Sequence, residues 1–240
     1  MTRIGLQLYT VRDACEHDLE GTLRTVAGLG YEGVELAGLH GRTASELKAL
    51  LDELGLVVAG RHVPFDVDVD ELAAEAVVLE CDRAALGWIQ PPETVAERDD
   101  VVERIAALAT RARDAGIRFG FHNHAGELRV LEDGASTLER LRALPDDVLW
   151  LELDLGWAWH AGLPPHEALE WGRGRTPLIH VKDLLGRDPV AFVPVGDGDV
   201  GFEGVPARAA ELGVEWLIVE QDELDRPLPE ALERSLAAVA

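Results

Sequence analysis

The sequence predicts a single (β/α)8 barrel, a TIM-type α/β barrel with its active site at the C-terminal ends of the strands. Three observations point to it. Short apolar runs alternate with longer amphipathic stretches along the whole chain, the pattern of repeated βα units around a parallel sheet. Glycines stand just past the ends of the helical stretches, at Gly30, Gly55, Gly116 and Gly213, where a left-handed residue is favoured. The length of 240 residues suits one barrel domain, expected to span residues 1–240.

Eight candidate strands follow in order: Ile4 to Tyr9, Gly33 to Leu36, Leu56 to His62, Ala84 to Trp88, Ile117 to His122, Val148 to Asp154, Leu178 to Lys182 and Glu215 to Glu220. Helical segments run over Leu19 to Leu29, Ala44 to Leu54, Val95 to Ala115 and Thr137 to Ala143. A doubly wound open sheet is the competing architecture, but no GxGxxG follows an early strand to support a dinucleotide site. The segment from Asp183 to Glu203 lacks helical periodicity, carries Gly196-Asp197-Gly198-Asp199 and reads as a loop.

Parity within the strands locates the site. Side chains alternate between barrel interior and helix-facing exterior. Ile4, Leu6 and Leu8 fall on one face of the first strand and Gly5, Gln7 and Tyr9 on the other; the aliphatic face should meet the helices. The same division puts Phe119 and Phe121 outside with Gly120 and His122 inside. Leu151 and Leu153 go outside with Glu152 and Asp154 inside, and Leu217 and Val219 outside with Glu220 inside. Glu35, His62 and His180 also count as inward, so polar groups converge on the end of the barrel where such folds build their sites.

Composition narrows the chemistry. Hydrophobic residues make up 47% of the chain, without an apolar run approaching the roughly 20 residues of a membrane span, and the start lacks signal-peptide features; the expectation is a cytoplasmic protein without a membrane partner. Cys15 and Cys81 form no CxxC or Cys/His cluster, so any metal must use oxygen and nitrogen ligands. The formal net charge of −23 opposes the phosphate neutralisation on which nucleic-acid binding depends. The partner expected is a small sugar or polyol, with a homo-oligomer left open.

Asp154, His180 and Glu220 sit at or near the ends of the sixth, seventh and eighth candidate strands, a carboxylate, imidazole and carboxylate set suited to one divalent ion, Mn, Mg, Co or Zn. Singly, a strand-end Asp is usually a cap and a lone His a satisfied structural group; together, two buried carboxylates without a cation would be costly. The fourth ligand is expected from Phe121-His122-Asn123-His124-Ala125-Gly126-Glu127. Parity favours His122, while Glu127 in the following loop could ligate the metal or bind substrate. His62, Lys182, His124 and Tyr9 are candidates for substrate contact, with a rim position for Lys182 the competing reading. Interior packing is expected for Glu35, Gln7, Trp88 and Trp157, and Arg12 is left open.

The chain resembles the xylose isomerase-like superfamily of sugar phosphate isomerases and epimerases, which also includes inosose dehydratase, hydroxypyruvate isomerase and apurinic endonucleases. The resemblance covers nearly the whole chain and is carried by Leu8-Tyr9-Thr10-Val11-Arg12-Asp13, His122-Asn123-His124 with Glu127, Leu153-Asp154-Leu155-Gly156-Trp157, Ile179-His180-Val181-Lys182-Asp183, Pro194-Val195-Gly196-Asp197-Gly198 and Val219-Glu220-Gln221-Asp222. It implies one divalent metal held by Glu, Asp, His and Glu, the last three being Asp154, His180 and Glu220. The chain departs at the first, where many relatives have Glu in the place of His122. The reaction implied is isomerisation or epimerisation: a base, the Glu220 carboxylate or else Glu127 or His122, removes a proton next to a carbonyl and the metal stabilises the enediolate. An inosose dehydratase-like lyase shares that first step. An apurinic endonuclease would need a multi-metal cluster and a basic rim, and a non-catalytic binding barrel would have little use for the converging ligand groups.

Overall fold

The computed structural model describes residues 2–240. Eight parallel strands close into a barrel. They are β1 (Arg3–Gln7), β2 (Gly33–Leu36), β3 (Val57–Val63), β4 (Arg83–Leu86), β5 (Arg118–His122), β6 (Trp150–Asp154), β7 (Leu178–Val181) and β10 (Trp216–Val219), with β10 pairing back onto β1. A short antiparallel pair, β8 (Asp183–Leu185) and β9 (Ala191–Val193), stands beside it. The helices are α1 (Arg12–Leu29), α2 (Ala44–Leu54), α3 (Val69–Leu79), α4 (Val95–Asp114), α5 (Thr137–Arg142), α6 (Leu155–His160), α7 (Pro165–Trp171), α8 (Val205–Glu211) and α9 (Leu228–Val239).

Local chemistry explains several boundaries. Helices α2, α4 and α5 each begin with a reciprocal capping box, Thr43 with Glu46, Thr94 with Glu97 and Ser136 with Glu139, which satisfies backbone N–H groups left over at a helix start. The predicted first strand reaches Tyr9, but the observed one stops at Gln7, because the Gln7 side chain accepts from Tyr9 N at 3.1 Å and caps a 3-10 turn over Leu8–Val11. Tyr9 therefore leaves the strand alternation and lies exposed at the mouth. Helix α1 starts at Arg12, ahead of the predicted Leu19, with a break at Asp18. The fourth strand ends at Leu86, so Trp88 projects from the following loop.

The segment from Asp183 to Glu203, expected as loop, holds the β8–β9 pair. The buried Asp183 carboxylate organises it by accepting from the backbone N–H groups of Leu184, Gly196, Gly198 and Val200 at 2.8–3.2 Å. A sequence scan for periodicity misses such order, because one side chain replaces the hydrogen bonds a ladder would make.

The strand parity sorts the core into two regions. Phe121, Leu151, Leu153, Val181 and Val219 join the large cluster under the helices, whereas Ala59, Ala85, Trp150, Leu178, Trp216 and Ile218 form a separate apolar plug inside the barrel. Strands of a small barrel must fill its interior with side chains; the plug does so below the polar residues described next.

Arg98 of α4 is almost wholly buried and donates to both carboxylate oxygens of Asp133, at 2.7 and 2.8 Å, and to Ala135 O at 3.1 Å. It thereby pins the long connection that leaves β5. Removing a guanidinium with several charge-assisted bonds costs about 3 kcal/mol, so Arg98→Ala is expected to lower the urea midpoint by an amount equivalent to that figure. A change under about 0.5 kcal/mol, the range of neutral surface substitutions, would show that the connection is held by its other contacts.

Candidate active site

Above the apolar plug the inward side chains become polar, and they are tied together. Glu35 of β2 accepts from Gln7 Nε2 at 2.8 Å and lies 2.7 Å from His180 Nε2. His62 Nε2 of β3 sits 2.6 Å from Glu152 Oε2 of β6, an oxygen that also lies 3.3 Å from His122 Nδ1. Backbone approach makes room for these groups: a Cβ at Gly60 would come within 2.9 Å of the Glu35 carboxylate, and one at Gly87 within 2.8 Å of the His62 ring.

The rim forms a second tier. His180 Nδ1 is 2.9 Å from Glu220 Oε2, and Lys182 Nζ is 2.9 Å from the same oxygen, 2.8 Å from Asp222 Oδ1 and 3.3 Å from Asp154 Oδ2. Lys182 is 1% exposed, so it is a buried ammonium and not a surface rim lysine. Asp154 serves two ends. Its Oδ1 accepts from Trp157 N at 2.8 Å and caps α6, while its buried Oδ2 has no hydrogen-bond partner among the described residues. Asn123 fixes the backbone beneath, accepting from Asp154 N at 3.1 Å.

The charges set one another. Burial alone would raise Glu35, but the neighbouring His62 and His180 hold its carboxyl down to about 2. Burial and the Glu35 charge push Glu152 up to about 7. Burial lifts Asp154 to about 6 against the pull of Lys182. Glu220 is buried too, yet Lys182 and His180 keep it well below the usual carboxylate range. His180 is desolvated, but the carboxylates of Glu152, Glu220 and Glu35 raise it well above an ordinary imidazole. Burial and the facing imidazoles lower His122 strongly, leaving a neutral ring suited to ligation.

His122, Asp154, His180 and Glu220 each offer an atom within 4.8 Å of all the others, and His62, His122, Glu152 and His180 meet the same condition one tier down. The donor set of imidazole and carboxylate, with Asp154 Oδ2 and His122 Nδ1 buried and making no hydrogen bond although a charged group lies 3.3 Å from each, fits a divalent cation. Glu127 stands outside both groups: its Oε2 accepts from His124 N at 2.8 Å, and its buried Oε1 has no partner among the described residues.

A cavity of about 1270 Å³ opens over the site, lined by His62, His122, His124, Glu220, Asp222 and Tyr9 among others. Trp88, expected in the interior, is 60% exposed on its wall. Trp157 is partly buried beside His124 and under Lys182 Nζ. Arg12 stacks on the Tyr9 ring and donates to Tyr9 O and Asp222 O, joining the first and last strand loops. Three site residues escaped the sequence reading of function. Glu152 was legible by parity, two places before Asp154; Glu35 by its inward position, although packing is the commoner fate there; Asp222, past a strand end, carries no periodic signal.

Within the barrel class that this geometry defines, comparison with known proteins supplies the family. The family model for the xylose isomerase-like TIM barrel matches residues 23–239; the chain belongs to that family. It is 25% identical over 246 residues to the rhizopine catabolism protein MocC of Rhizobium meliloti, covering 85% of this chain and 75% of that one. It is also 25% identical over 248 residues to inosose dehydratase of Geobacillus kaustophilus, covering 84% and 79%. A crystal structure of a sugar phosphate isomerase/epimerase from Parabacteroides distasonis superposes with a TM-score of 0.85 at 23% identity, over 100% of this chain and 94% of that one. Among the described residues no helix is long and apolar enough to cross a membrane.

Proposed function

We propose that the chain is a divalent-metal-dependent isomerase or epimerase of a small sugar or polyol, acting by proton abstraction next to a carbonyl. The observation that carries this reading is the convergence of ligand atoms from His122, Asp154, His180 and Glu220 at the foot of a cavity roomy enough for a sugar. These four would hold the ion, which when bound supplies Lewis acidity to stabilise negative charge developing on the substrate oxygen.

The chain's own residues do the rest. Glu220 takes the carbon-bound proton; its Oε2 is held by His180 and Lys182, and the Lys182 ammonium keeps it ionised. Glu127, whose carboxyl burial raises, is the second carboxylate, assigned to returning a proton. Lys182, His62 and His124 contact substrate oxygens, and Tyr9 and Trp88 wall the entrance against water.

A second reading, a lyase on a keto-polyol, has a specific observation in its favour, the relatedness to an inosose dehydratase. It shares the proton abstraction and then expels a β-hydroxyl. Solvent deuterium incorporation over a panel of ketoses and keto-inositols with added manganese tests the shared step. Exchange into a recovered or epimerised sugar supports the isomerase, and exchange accompanied by a dehydrated product the lyase. A protein that holds its metal yet exchanges no panel member would favour a binding role.

A further inference from the structure

Glu35 belongs to neither tier of candidate ligands, yet its carboxylate is wholly buried inside the barrel. A carboxylate is a costly filler, and elsewhere the interior is filled by apolar side chains such as Ala59, Ala85 and Leu178. The hydrogen bonding of Glu35 runs through one oxygen. Its Oε1 has no partner among the described residues, whereas Oε2 meets Gln7 Nε2 at 2.8 Å and His180 Nε2 at 2.7 Å. Gln7 and Glu35 are register partners across β1 and β2. His180 stands on β7, three strands round the barrel from β2, so its contact with Glu35 crosses the lumen.

Each link in this chain has a fixed direction. A backbone N–H can only donate, so the Gln7 atom that meets Tyr9 N at 3.1 Å is the carbonyl Oε1, and the atom facing Glu35 is the amide nitrogen. Gln7 Nε2–H thereby claims Glu35 Oε2 as an acceptor, and a carboxylate oxygen accepts from His180 as well, which places a proton on His180 Nε2. The other ring nitrogen, Nδ1, turns to the upper tier, 2.9 Å from Glu220 Oε2. Glu152 offers no competing direction: its Oε2 is 3.5 Å from His180 Nε2 and is engaged by His62 at 2.6 Å.

We infer that Glu35, aligned by Gln7, is a positioning residue that fixes the proton of His180 on Nε2 and so leaves Nδ1 as the nitrogen that ligates the divalent ion. The inference rests on the ligand group proposed above. A hydrogen-bond partner behind a ligating imidazole fixes its tautomer and ring orientation and raises its basicity. The Nδ1 proton shared with Glu220 is the one given up on ligation. Because Gln7 also caps the 3-10 turn, the turn that presents Tyr9 at the mouth and the ligating histidine are held by the same amide.

Zinc alone is the probe. In the zinc-loaded parent protein carrying isotope-labelled histidines, nitrogen–proton correlation spectra should show His180 protonated at Nε2 and metal-bound at Nδ1. Glu35→Leu should weaken zinc binding about 10- to 100-fold, the usual cost of losing such a partner. Glu35→Gln should keep most of the affinity, because its amide oxygen can take the place of Oε2 and Gln7 Nε2–H disfavours the flipped amide. Circular dichroism checks that both variants fold, and the spectrum of the parent needs no variant. Zinc bound through Nε2, unchanged affinity in Glu35→Leu, or equal losses in the two variants would each overturn the positioning role and leave the ligand group standing. A parent protein that takes up no zinc overturns the ligand group itself, and the inference with it.

Discussion

Glu220→Gln is expected to keep its metal and lose solvent deuterium exchange by a factor of about 10² to 10⁴, the usual cost of removing a general base. The amide preserves the shape of the side chain and one ligating oxygen, but it cannot take a proton. In the parent protein, Oε2 sits between His180 Nδ1 and Lys182 Nζ, both at 2.9 Å. An amide oxygen can occupy the same place, so the substitution isolates basicity from position. Metal content by elemental analysis and exchange by mass spectrometry separate the outcomes. If Glu220→Gln exchanged at the parent rate while Glu127→Gln or His122→Asn abolished exchange, the base would have to be moved to the end of β5 or the turn after it.

Combined Asp154→Ala and His180→Ala should take the bound metal from about one equivalent to near zero, because a site of this kind depends on three or four protein ligands. The parent arrangement makes the loss specific. Asp154 and His180 belong to the group of four with ligand atoms within 4.8 Å of one another, and both residues are fully buried, so no exposed carboxylate can take their place. Asp154 also caps α6, and losing a cap costs about 1 kcal/mol. Asp154→Asn, which can still cap, is the control for folding. Because His180 belongs to both groups of four, unchanged metal content in the double variant would rule this assignment out.

Much of the architecture was legible because a barrel repeats its rule. Alternation of apolar runs with amphipathic stretches marked all eight barrel strands, and parity put Gln7, Glu35, His62, Asp154, His180 and Glu220 on inward positions that the structure brings together. Legibility failed where backbone groups are satisfied by side chains. Gln7 ends β1 early and removes Tyr9 from the alternation, and Asp183 orders a segment with no periodicity at all. The position of Glu127 was illegible for another reason. It follows β5 in a short turn, so neither strand nor helix period fixes its direction, and whether it or His122 lies nearer the ligand group is a matter of tertiary packing.

The Asp183 tie has a consequence for anyone wishing to change what the barrel accepts. It makes one side of the entrance, from Asp183 to Val200, a braced wall whose shape depends on four backbone N–H groups meeting one buried carboxylate. Elsewhere on the entrance, Tyr9 and Trp88 reach into solvent from positions past β1 and β4. Those aromatic positions can be exchanged for smaller or differently shaped side chains with little penalty to the scaffold. Library design for altered substrate range belongs on the first four strand loops, while insertions or randomisation after β7 would unbrace this wall.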